Sequence, residues 1–393
     1  MRSQREVLSA FVWSRIALWI GALFALYTFL PNGNADAIHR DDPTVIHDLG
    51  SFTDVWARWD SYWFIRIAHH GYDVAAGAPA FYPLYPWLVA AVGRLCFGHY
   101  VLGGLIVSLA AAAGAFVLLG RLAETLAGPE AARRSTLFLA VYPMTLFLSA
   151  VYSESLFLLV AIGAFLAAER RRFALAGICC GLALLTRPTG VAVVLGVLVL
   201  AFRSAPRARN AVAVGAPAVA LAALYPLVLW QQGRSAFAFV HVEHFWYRHT
   251  ATLGPLGGLW DAARAAWTSV RQLVSGSASH PYGPPVGATH FAALNLEATF
   301  FFVVAVVLGV VAWRRLGAGY GLMSLIAVVA PVATPAVDQP LLSMPRFTLV
   351  AFPIFIALAL VASRPSHERA VAGVSAIWAG VAVMQWALWQ FVS

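Results

Sequence analysis

The chain has 393 residues, of which 61% are hydrophobic and only 11% are charged. This balance excludes an ordinary soluble globular domain. The net charge of +9 comes from arginine without any lysine, and most of the arginines lie in short clusters beside apolar runs. That placement is typical of the positive-inside pattern of membrane proteins, so we do not expect a nucleic-acid partner.

Long apolar runs recur along the whole chain. An open sheet would leave its edges unpaired in lipid, so we predict an all-α polytopic membrane protein that forms one transmembrane domain, residues 1–393. Hydropathy predicts about eleven transmembrane helices. They lie at residues 7–30, 100–120, 135–150, 153–169, 173–186, 189–202, 210–231, 291–312, 320–337, 347–362 and 370–391. If the arginine clusters are placed on the cytoplasmic side of the membrane, the N-terminus is cytoplasmic, and two long extracytoplasmic loops cover residues 31–99 and 232–290.

The first span begins with basic residues and is followed by Ala35-Asp36-Ala37, which is similar to a signal-peptide cleavage site. We interpret it as an uncleaved span, because its long apolar stretch, interrupted by Arg15, exceeds a signal-peptide core. The arginine-only, alanine-rich composition favours a bacterial protein of the plasma membrane. The few cysteines, two of them adjacent, exclude a disulfide framework and a CxxC metal site.

The stretch RWDSYWFIRIAHHGYD at residues 58–73, which combines acidic, basic and histidine residues with aromatic ones, lies in the first long loop. At helical spacing its tryptophans share one face and its arginines another, which predicts a helix lying in the membrane interface. The apolar face holds Trp56, Trp59, Trp63 and Ile67, and the polar face holds Arg58, Tyr62, Arg66 and His69. Membrane-dissolved substrates would meet water at this depth.

Asp60 lies beside the aromatic face, and a carboxylate in that position suits a general base. The alternative is that Asp60 caps a helix beginning at Ser61, since aspartate is a preferred N-cap residue. The two roles are compatible. His69 and His70 are predicted to contact substrate through ordinary hydrogen bonds, and metal binding is the less favoured interpretation.

Other parts of the two long loops carry weaker signals. Residues 81–97 predict a second juxtamembrane helix, because counting them as a span would reverse the sidedness of every later arginine cluster. Residues 232–290 are rich in turn-forming residues, which predicts a mobile loop. We predict no cofactor and no metal; the alternative is a divalent cation bound by the acidic residues of the first loop, Asp41, Asp42, Asp48 and Asp54.

A lipid-linked sugar transporter or flippase is the main alternative to an enzyme, because it would also place aromatics and arginines at the membrane face. A transporter needs ionisable residues near the bilayer midplane. Here Glu154, Arg187, Glu297, Asp338 and Arg346 are all predicted at outer helix ends. We therefore expect these side chains to converge at the outer surface.

Several sequence blocks follow one another in a recognisable order. They are RWDSYWFIRIAHHGY from Arg58 with FYPLYP from Phe81, YSESLFLL from Tyr152, LTRPTGV from Leu185, EHFWYRH from Glu243 and SMPRFTLVAFPIF from Ser343. Together they resemble the GPI mannosyltransferase II (PIG-V) family and its bacterial branch, over nearly the whole chain. The chain departs from that family at Arg187-Pro188-Thr189-Gly190, where the eukaryotic enzymes have an RSNG-like block, and in the second long loop.

The resemblance implies a GT-C fold, in which a multi-span glycosyltransferase carries an acidic catalytic residue, here Asp60, in its first extracytoplasmic loop. It also implies a polyprenyl-phosphate sugar donor, most often mannose, with arabinose, glucose or a modified sugar as alternatives. The acceptor stays open as a glycan, a lipid or a protein, because a bacterium makes no GPI anchor. Membrane lipids are the other expected partners.

Transfer from such a donor needs a base for the acceptor hydroxyl and cations for the leaving phosphate. The candidate phosphate ligands are Arg346, Arg187, Arg248 and Arg66, since the arginine donor fork suits phosphate. The alternative for the first two is an ion pair with Glu154 or Asp338. The candidate substrate-binding residues are His69, His70, Tyr82, Tyr85, Tyr152, Glu154, Trp59, Trp63 and Glu243. A single displacement would invert the sugar configuration, because phosphate leaves without an acid catalyst.

Overall fold

The computed structural model describes residues 2–32, 43–72, 76–275, 288–337 and 339–392. In these residues the regular secondary structure is helical, and the only pairing of extended backbone is one antiparallel bridge between Arg248 and Ala336. The predicted all-α class is therefore confirmed for the described part of the chain. Residues that lie outside it include Asp41, Asp42, Asp338 and part of the second predicted loop, residues 276–287.

The described residues form helices along the whole chain. The first half contains α1 (Arg2–Thr28), α2 (Ser51–Asp54), α3 (Ser61–His70), α4 (Leu84–Leu95), α5 (Tyr100–Ala127), α6 (Pro129–Ala140), α7 (Glu154–Glu169), α8 (Phe173–Leu184) and α9 (Gly190–Arg203). The second half contains α10 (Arg207–Ala222), α11 (Leu224–Gln231), α12 (Ala238–His241), α13 (Pro255–Ser275), α14 (Ala288–Arg315), α15 (Ala318–Val329), α16 (Met344–Val350), α17 (Pro353–Val361) and α18 (Pro365–Ala387).

Five helical segments in the described part are long and apolar enough to cross a membrane, so the chain is a membrane protein. They are Arg5–Thr28, Tyr100–Ala127, Arg207–Gln231, Phe291–Arg315 and Pro365–Ala387. A sixth results if α16 and α17 are counted together, although they are bent by 88°. The predicted count of about eleven spans therefore remains a prediction.

Prolines explain part of the difference between the eleven predicted spans and the five long apolar segments, because proline lacks a backbone donor and restricts the residue before it. Helix α6 stops at Ala140, shortly before Pro143, which breaks the predicted span at residues 135–150. Helix α15 stops at Val329, shortly before Pro331, which breaks the predicted span at 320–337. Pro353 begins α17 and leaves the short helix α16 at an angle to it.

Helix α3, in the first predicted loop, is enclosed by protein. Tyr62, Trp63, Phe64 and Ile65 follow one another around the helix, and all of them are buried. The helix packs against both α4 and α5. The predicted helix is therefore present but is covered by other helices on more faces than the periodicity indicated, and its position relative to the membrane interface stays a prediction.

The second predicted loop contains α13, a helix of 21 residues, so the prediction of a mobile loop is wrong for this segment. Its buried residues include the small side chains Gly258, Ala262, Ala265 and Ser269, and the helix packs against α14 and against residues 330–333. Gly258 is needed because a Cβ at that position would overlap the carbonyl oxygen of Val332. The GPLGG motif thus begins a packed helix, although its composition is typical of a loop.

Candidate active site

Asp60 follows a strained residue at the start of α3. Trp59 has a φ of +51°, a left-handed conformation that is costly for a residue other than glycine and is often found at functional sites. The Asp60 amide donates a hydrogen bond to the hydroxyl oxygen of Tyr152 at 3.0 Å. The carboxylate makes no capping bond to α3. Instead its Oδ2 accepts from Nη1 of Arg346 at 2.6 Å, and the side chain stays 27% exposed.

Arg346, on α16, lies between two carboxylates. Its Nη1 contacts Asp60, and its Nε lies 3.6 Å from Oε1 of Glu154. Its guanidinium carbon is 5.5 Å from the ring centres of both Phe147 and Tyr152, which supports the charge through cation–π contacts. Arg346 therefore connects the first predicted loop with the beginning of α7.

Glu154 is fully buried in the first turn of α7, where the helix N-terminus favours a negative charge. It forms an ion pair with Arg187, whose Nη1 also lies 3.3 Å from Oγ of Ser153. Its Oε2 has no hydrogen-bond partner among the described residues. Because a buried ion pair contributes little net stability, the main effect of Glu154 is to fix the two guanidinium groups beside it.

Arg248 joins this group from the second predicted loop. Its Nη1 and Nη2 donate to the carbonyl oxygens of Thr334 (2.9 Å) and Leu342 (3.1 Å). Burial lowers the pKa of the guanidinium, and the carboxylate of Glu243, 3.9 Å from its Nε, acts in the opposite direction. Two of its nitrogens are thus engaged with the main chain, so Arg248 positions the segment that precedes α16.

The ring of Phe347 brings the three arginines together. The guanidinium carbons of Arg187 and Arg248 each lie 5.9 Å from the centre of this ring, and that of Arg346 lies 5.8 Å from it. We call these three residues the arginine cluster. Three carboxylates, those of Asp60, Glu154 and Glu243, pair with these guanidinium groups, so an anionic group such as phosphate would bind here by competing with a carboxylate for the arginine donors. Phe347 was not predicted, because an apolar residue beside an arginine carries no functional signal in the sequence.

The predicted substrate ligands His69 and His70 lie elsewhere. They end α3 and are exposed, and His69 packs on the ring of Tyr100 with centroids 3.7 Å apart. A helix rises about 1.5 Å per residue, so roughly 15 Å separates Asp60 from His70. The structure therefore does not bring these histidines to the arginine cluster.

Other predicted residues make contacts with neighbouring side chains away from the cluster. Arg66 donates a hydrogen bond to the hydroxyl of Tyr62. Tyr85 is buried, and its hydroxyl bonds to Oγ of Ser108 at 2.8 Å. Further ring contacts are made by Tyr82 with Tyr225 and Phe239, by Trp63 with Phe81 and Trp246, and by Trp59 with Trp389 and Phe391. Of the predicted set, the structure thus gathers Asp60, Tyr152, Glu154, Arg187, Arg248, Glu243 and Arg346.

Two other acidic residues were expected at the same site. Glu297 instead accepts a hydrogen bond from Nε1 of Trp378 at 2.9 Å. Asp338 lies outside the described residues, so its place at the site stays a prediction. Among the described residues that were expected to converge, Glu154, Arg187 and Arg346 do so.

The C-terminal segment, residues 386–391, contacts the loop before Asp60. Nε1 of Trp386 donates to the carbonyl oxygen of Val55 at 2.7 Å. The guanidinium carbon of Arg58 lies 4.3 Å from the ring centre of Trp389, and Trp59 contacts the rings of Trp389 and Phe391 at 5.9 and 5.6 Å. This segment therefore packs against the strained residue that sets the direction of Asp60.

We expect Trp389→Ala to increase amide hydrogen exchange across residues 55–62. The lost ring contacts are worth about 1 to 2 kcal/mol, which corresponds to roughly 5- to 30-fold faster exchange. Trp389→Phe keeps an aromatic ring and should restore most of the protection. Trp313→Ala, a change of another partly exposed tryptophan on α14, serves as the control. Unchanged exchange in Trp389→Ala would exclude a positioning effect of the C-terminal segment.

We expect Glu154→Gln to lower the stability of the whole chain. Removing one partner of a buried ion pair leaves uncompensated charge, which costs about 3 kcal/mol or more. The measurement is the thermal unfolding midpoint of the detergent-solubilised protein. Glu124→Gln makes the same chemical change at an exposed position on α5 and should leave the midpoint unchanged. Equal midpoints for the two variants would contradict the assigned role of Glu154.

The acidic residues of the first loop engage other groups in the described part of the chain. Asp48 pairs with Nδ1 of His99, and Asp54 accepts from the Asp48 amide at 3.1 Å and from Oγ1 of Thr53 at 3.0 Å. Within the described ranges, no three His, Cys, Asp or Glu side chains come together as metal ligands would. The prediction on metal dependence stays a prediction.

Comparison with known families and structures gives one broad match. Residues 4–236 match the family model described as Mannosyltransferase (PIG-V). The matched range contains Asp60, Glu154 and Arg187 and ends before Arg248 and Arg346. No curated protein sequence matches the chain significantly.

Solved structures of an archaeal oligosaccharyltransferase are similar at low identity. AglB from Archaeoglobus fulgidus, in complex with an inhibitory peptide and a dolichol-phosphate, is 16% identical with a TM-score of 0.46, over 95% of this chain and 56% of that chain. The apo form of the Archaeoglobus fulgidus enzyme is 17% identical with a TM-score of 0.46, over 96% and 56%. The chain thus spans little more than half of the length of these proteins.

Proposed function

The chain belongs to the mannosyltransferase (PIG-V) family and is a membrane glycosyltransferase, and from this we propose that it transfers mannose from a polyprenyl-phosphate donor to an acceptor hydroxyl. The observation that carries the proposal is the partly exposed carboxylate of Asp60, held by Arg346 beside the arginine cluster. A base and a phosphate site are thereby adjacent, as transfer from a sugar phosphate requires.

Asp60 acts as the general base in this proposal. The acceptor oxygen attacks C1 of the sugar while its proton passes to the Asp60 carboxylate. The bond between C1 and the phosphate oxygen breaks, and its electron pair stays on the phosphate. Arg346 and Arg187 stabilise the departing charge through charge-assisted hydrogen bonds. Glu154 keeps both guanidinium groups in place, and Arg248 positions the backbone before α16.

The ion pair between Asp60 and Arg346 couples the two substrates. Phosphate oxygens bind the same guanidinium nitrogens as a carboxylate does. A donor phosphate that takes hydrogen bonds from Arg346 therefore competes with Oδ2 of Asp60. This competition frees the carboxylate to accept a proton when the donor is bound, so we expect donor binding to precede proton transfer.

A single displacement inverts the configuration at C1. Glycosidases need a second carboxylic acid because an alkoxide leaves poorly, whereas phosphate leaves without one. A β-linked donor would then give an α-mannoside. Retention of configuration in the product would contradict the single displacement with Asp60 as the base.

We place the site on the extracytoplasmic side of a bacterial plasma membrane, within the GT-C fold that the sequence resemblance implies. Support comes from α7, a helix of 16 residues or about 24 Å, which has Glu154 at its N-terminal end. Residues 170–172, all arginine, directly follow its other end, and arginine clusters favour the cytoplasm. The acceptor, a glycan, a lipid or a protein, then reaches Asp60 from outside.

The test is to incubate the purified protein with polyprenyl-phosphate mannose and a membrane extract. Mass spectrometry then identifies which extract component gains one hexose. Parallel reactions with polyprenyl-phosphate glucose and arabinose test the choice of sugar. A flippase would move the labelled donor across vesicle membranes without forming any glycosylated product, and that result would refute the proposal.

A further inference from the structure

A cavity of about 390 Å³ lies where the C-terminal ends of α3, α4 and α11 meet. His69, His70, Arg94 and Gln232 supply its polar lining, and Trp87 supplies an aromatic wall. The small side chains of Ala68 on α3 and of Ala90 and Ala91 on α4 also line it. The cavity is separated from Asp60 by the length of α3, about 15 Å, so it does not belong to the arginine cluster.

Hydrogen bonds between distant residues hold the walls of this cavity. The Tyr72 amide donates to Oε1 of Gln232 at 2.6 Å, and Nε of Arg234 donates to the Tyr72 carbonyl oxygen. The Tyr72 hydroxyl donates to the carbonyl oxygen of Phe81 at 2.6 Å. The end of α3 is therefore fixed to the residues that follow α11, and the cavity has a defined shape.

The lining of the cavity is cationic. His69, His70 and Arg94 are all exposed, and within the described residues no carboxylate lines the cavity. Arg94 supplies a guanidinium group with several hydrogen-bond donors, and the imidazole of His70 lies beside it in the lining.

Exposed apolar residues follow Arg94 along the chain. Leu95, the next residue, and Phe97, three residues beyond Arg94, are 80% and 96% exposed. An exposed apolar tip beside a basic residue is typical of a segment that enters the surface of a membrane. A lipid whose chains lie against this tip would carry its headgroup phosphate near the guanidinium of Arg94.

We propose that this cavity binds the phosphate of an anionic phospholipid headgroup. Arg94 donates charge-assisted hydrogen bonds to the phosphate oxygens, His70 adds a further donor, and Trp87 packs against the glycerol portion. The site is distinct from the phosphate site at the arginine cluster. It does not depend on the sugar or the acceptor of the proposed reaction, because its ligand is a component of the membrane itself.

The experiment is native mass spectrometry of the detergent-solubilised protein, titrated with dihexanoyl phosphatidylglycerol. We expect Arg94→Gln to weaken binding about tenfold, the effect of losing one charge-assisted hydrogen bond. His70→Gln should weaken it less. Arg121→Gln removes another exposed arginine, at the far end of α5, and should leave binding unchanged. Arg94 is exposed, so its replacement should not prevent folding.

Two further ligands distinguish the sources of the phosphate. Dihexanoyl phosphatidylcholine carries no net charge and should bind the wild-type protein at least tenfold more weakly than phosphatidylglycerol. Inorganic phosphate lacks the apolar part and should not displace the lipid at equal concentration. Equal binding of both lipids, displacement by inorganic phosphate, or equal affinity of Arg94→Gln and the wild-type protein would each overturn the proposal.

Discussion

Asp60→Asn is expected to lower the rate of mannosyl transfer by about a hundredfold or more, the usual contribution of a general base. Asparagine keeps the size of the side chain but cannot accept a proton from the acceptor hydroxyl. It can still accept a hydrogen bond from Arg346, so the fold should survive. The measurement is transfer of radiolabelled mannose from polyprenyl-phosphate mannose at saturating donor.

Asp261→Asn is the matched control, since it makes the same replacement on α13, outside the site. It should leave the rate unchanged. The unfolding midpoint of Asp60→Asn should stay close to that of the wild-type protein, which separates a chemical effect from a folding defect. Wild-type turnover in a folded Asp60→Asn protein would eliminate Asp60 as the base.

Arg346→Gln is expected to cause the second large loss of mannosyl-transfer turnover. It removes the cation that contacts Asp60 and approaches Glu154, which is also the group proposed as the main donor to the leaving phosphate. Loss of one such group from a preorganised site lowers turnover by about 10²- to 10³-fold. Donor binding should weaken as well, because in the proposed reaction Arg346 binds the phosphate before and during transfer.

Arg346→Lys tests whether charge alone suffices. Lysine is a point charge and cannot contact both carboxylates with a planar fork, so it should recover donor binding better than turnover. Arg264→Gln, at an exposed position on α13, serves as the control. If Arg346→Gln kept both the turnover and the donor affinity of the wild-type protein, the phosphate role of Arg346 would be wrong.

The sequence predicted which residues form the site better than it predicted the residues that pack around them. Asp60, Glu154, Arg187 and Arg346 were singled out by residue type and position, and the structure brings them together. The family resemblance is confirmed over residues 4–236. The blocks that begin at Glu243 and Ser343 lie beyond that range, so their family assignment stays a prediction.

Long-range packing could not be predicted. Asp60 and Arg346 are 286 residues apart, and no local pattern indicates that they pair. The direction in which Asp60 points depends on the left-handed Trp59 and on residues 386–391, which carry no catalytic residue type. The turn-forming residues of the second loop also concealed α13, and the periodicity of α3 did not identify the helices that cover it, since periodicity reports only how apolar a face is.

The pairing between Asp60 and Arg346 has a consequence for biosynthesis. The ribosome makes Asp60 and Glu154 before Arg346 and before the tryptophans that contact the first loop. Until the helices that carry those later residues enter the bilayer, a buried carboxylate and a strained loop lack their partners. A nascent chain that ends before Arg346 therefore lacks the pairing on which the proposed reaction depends.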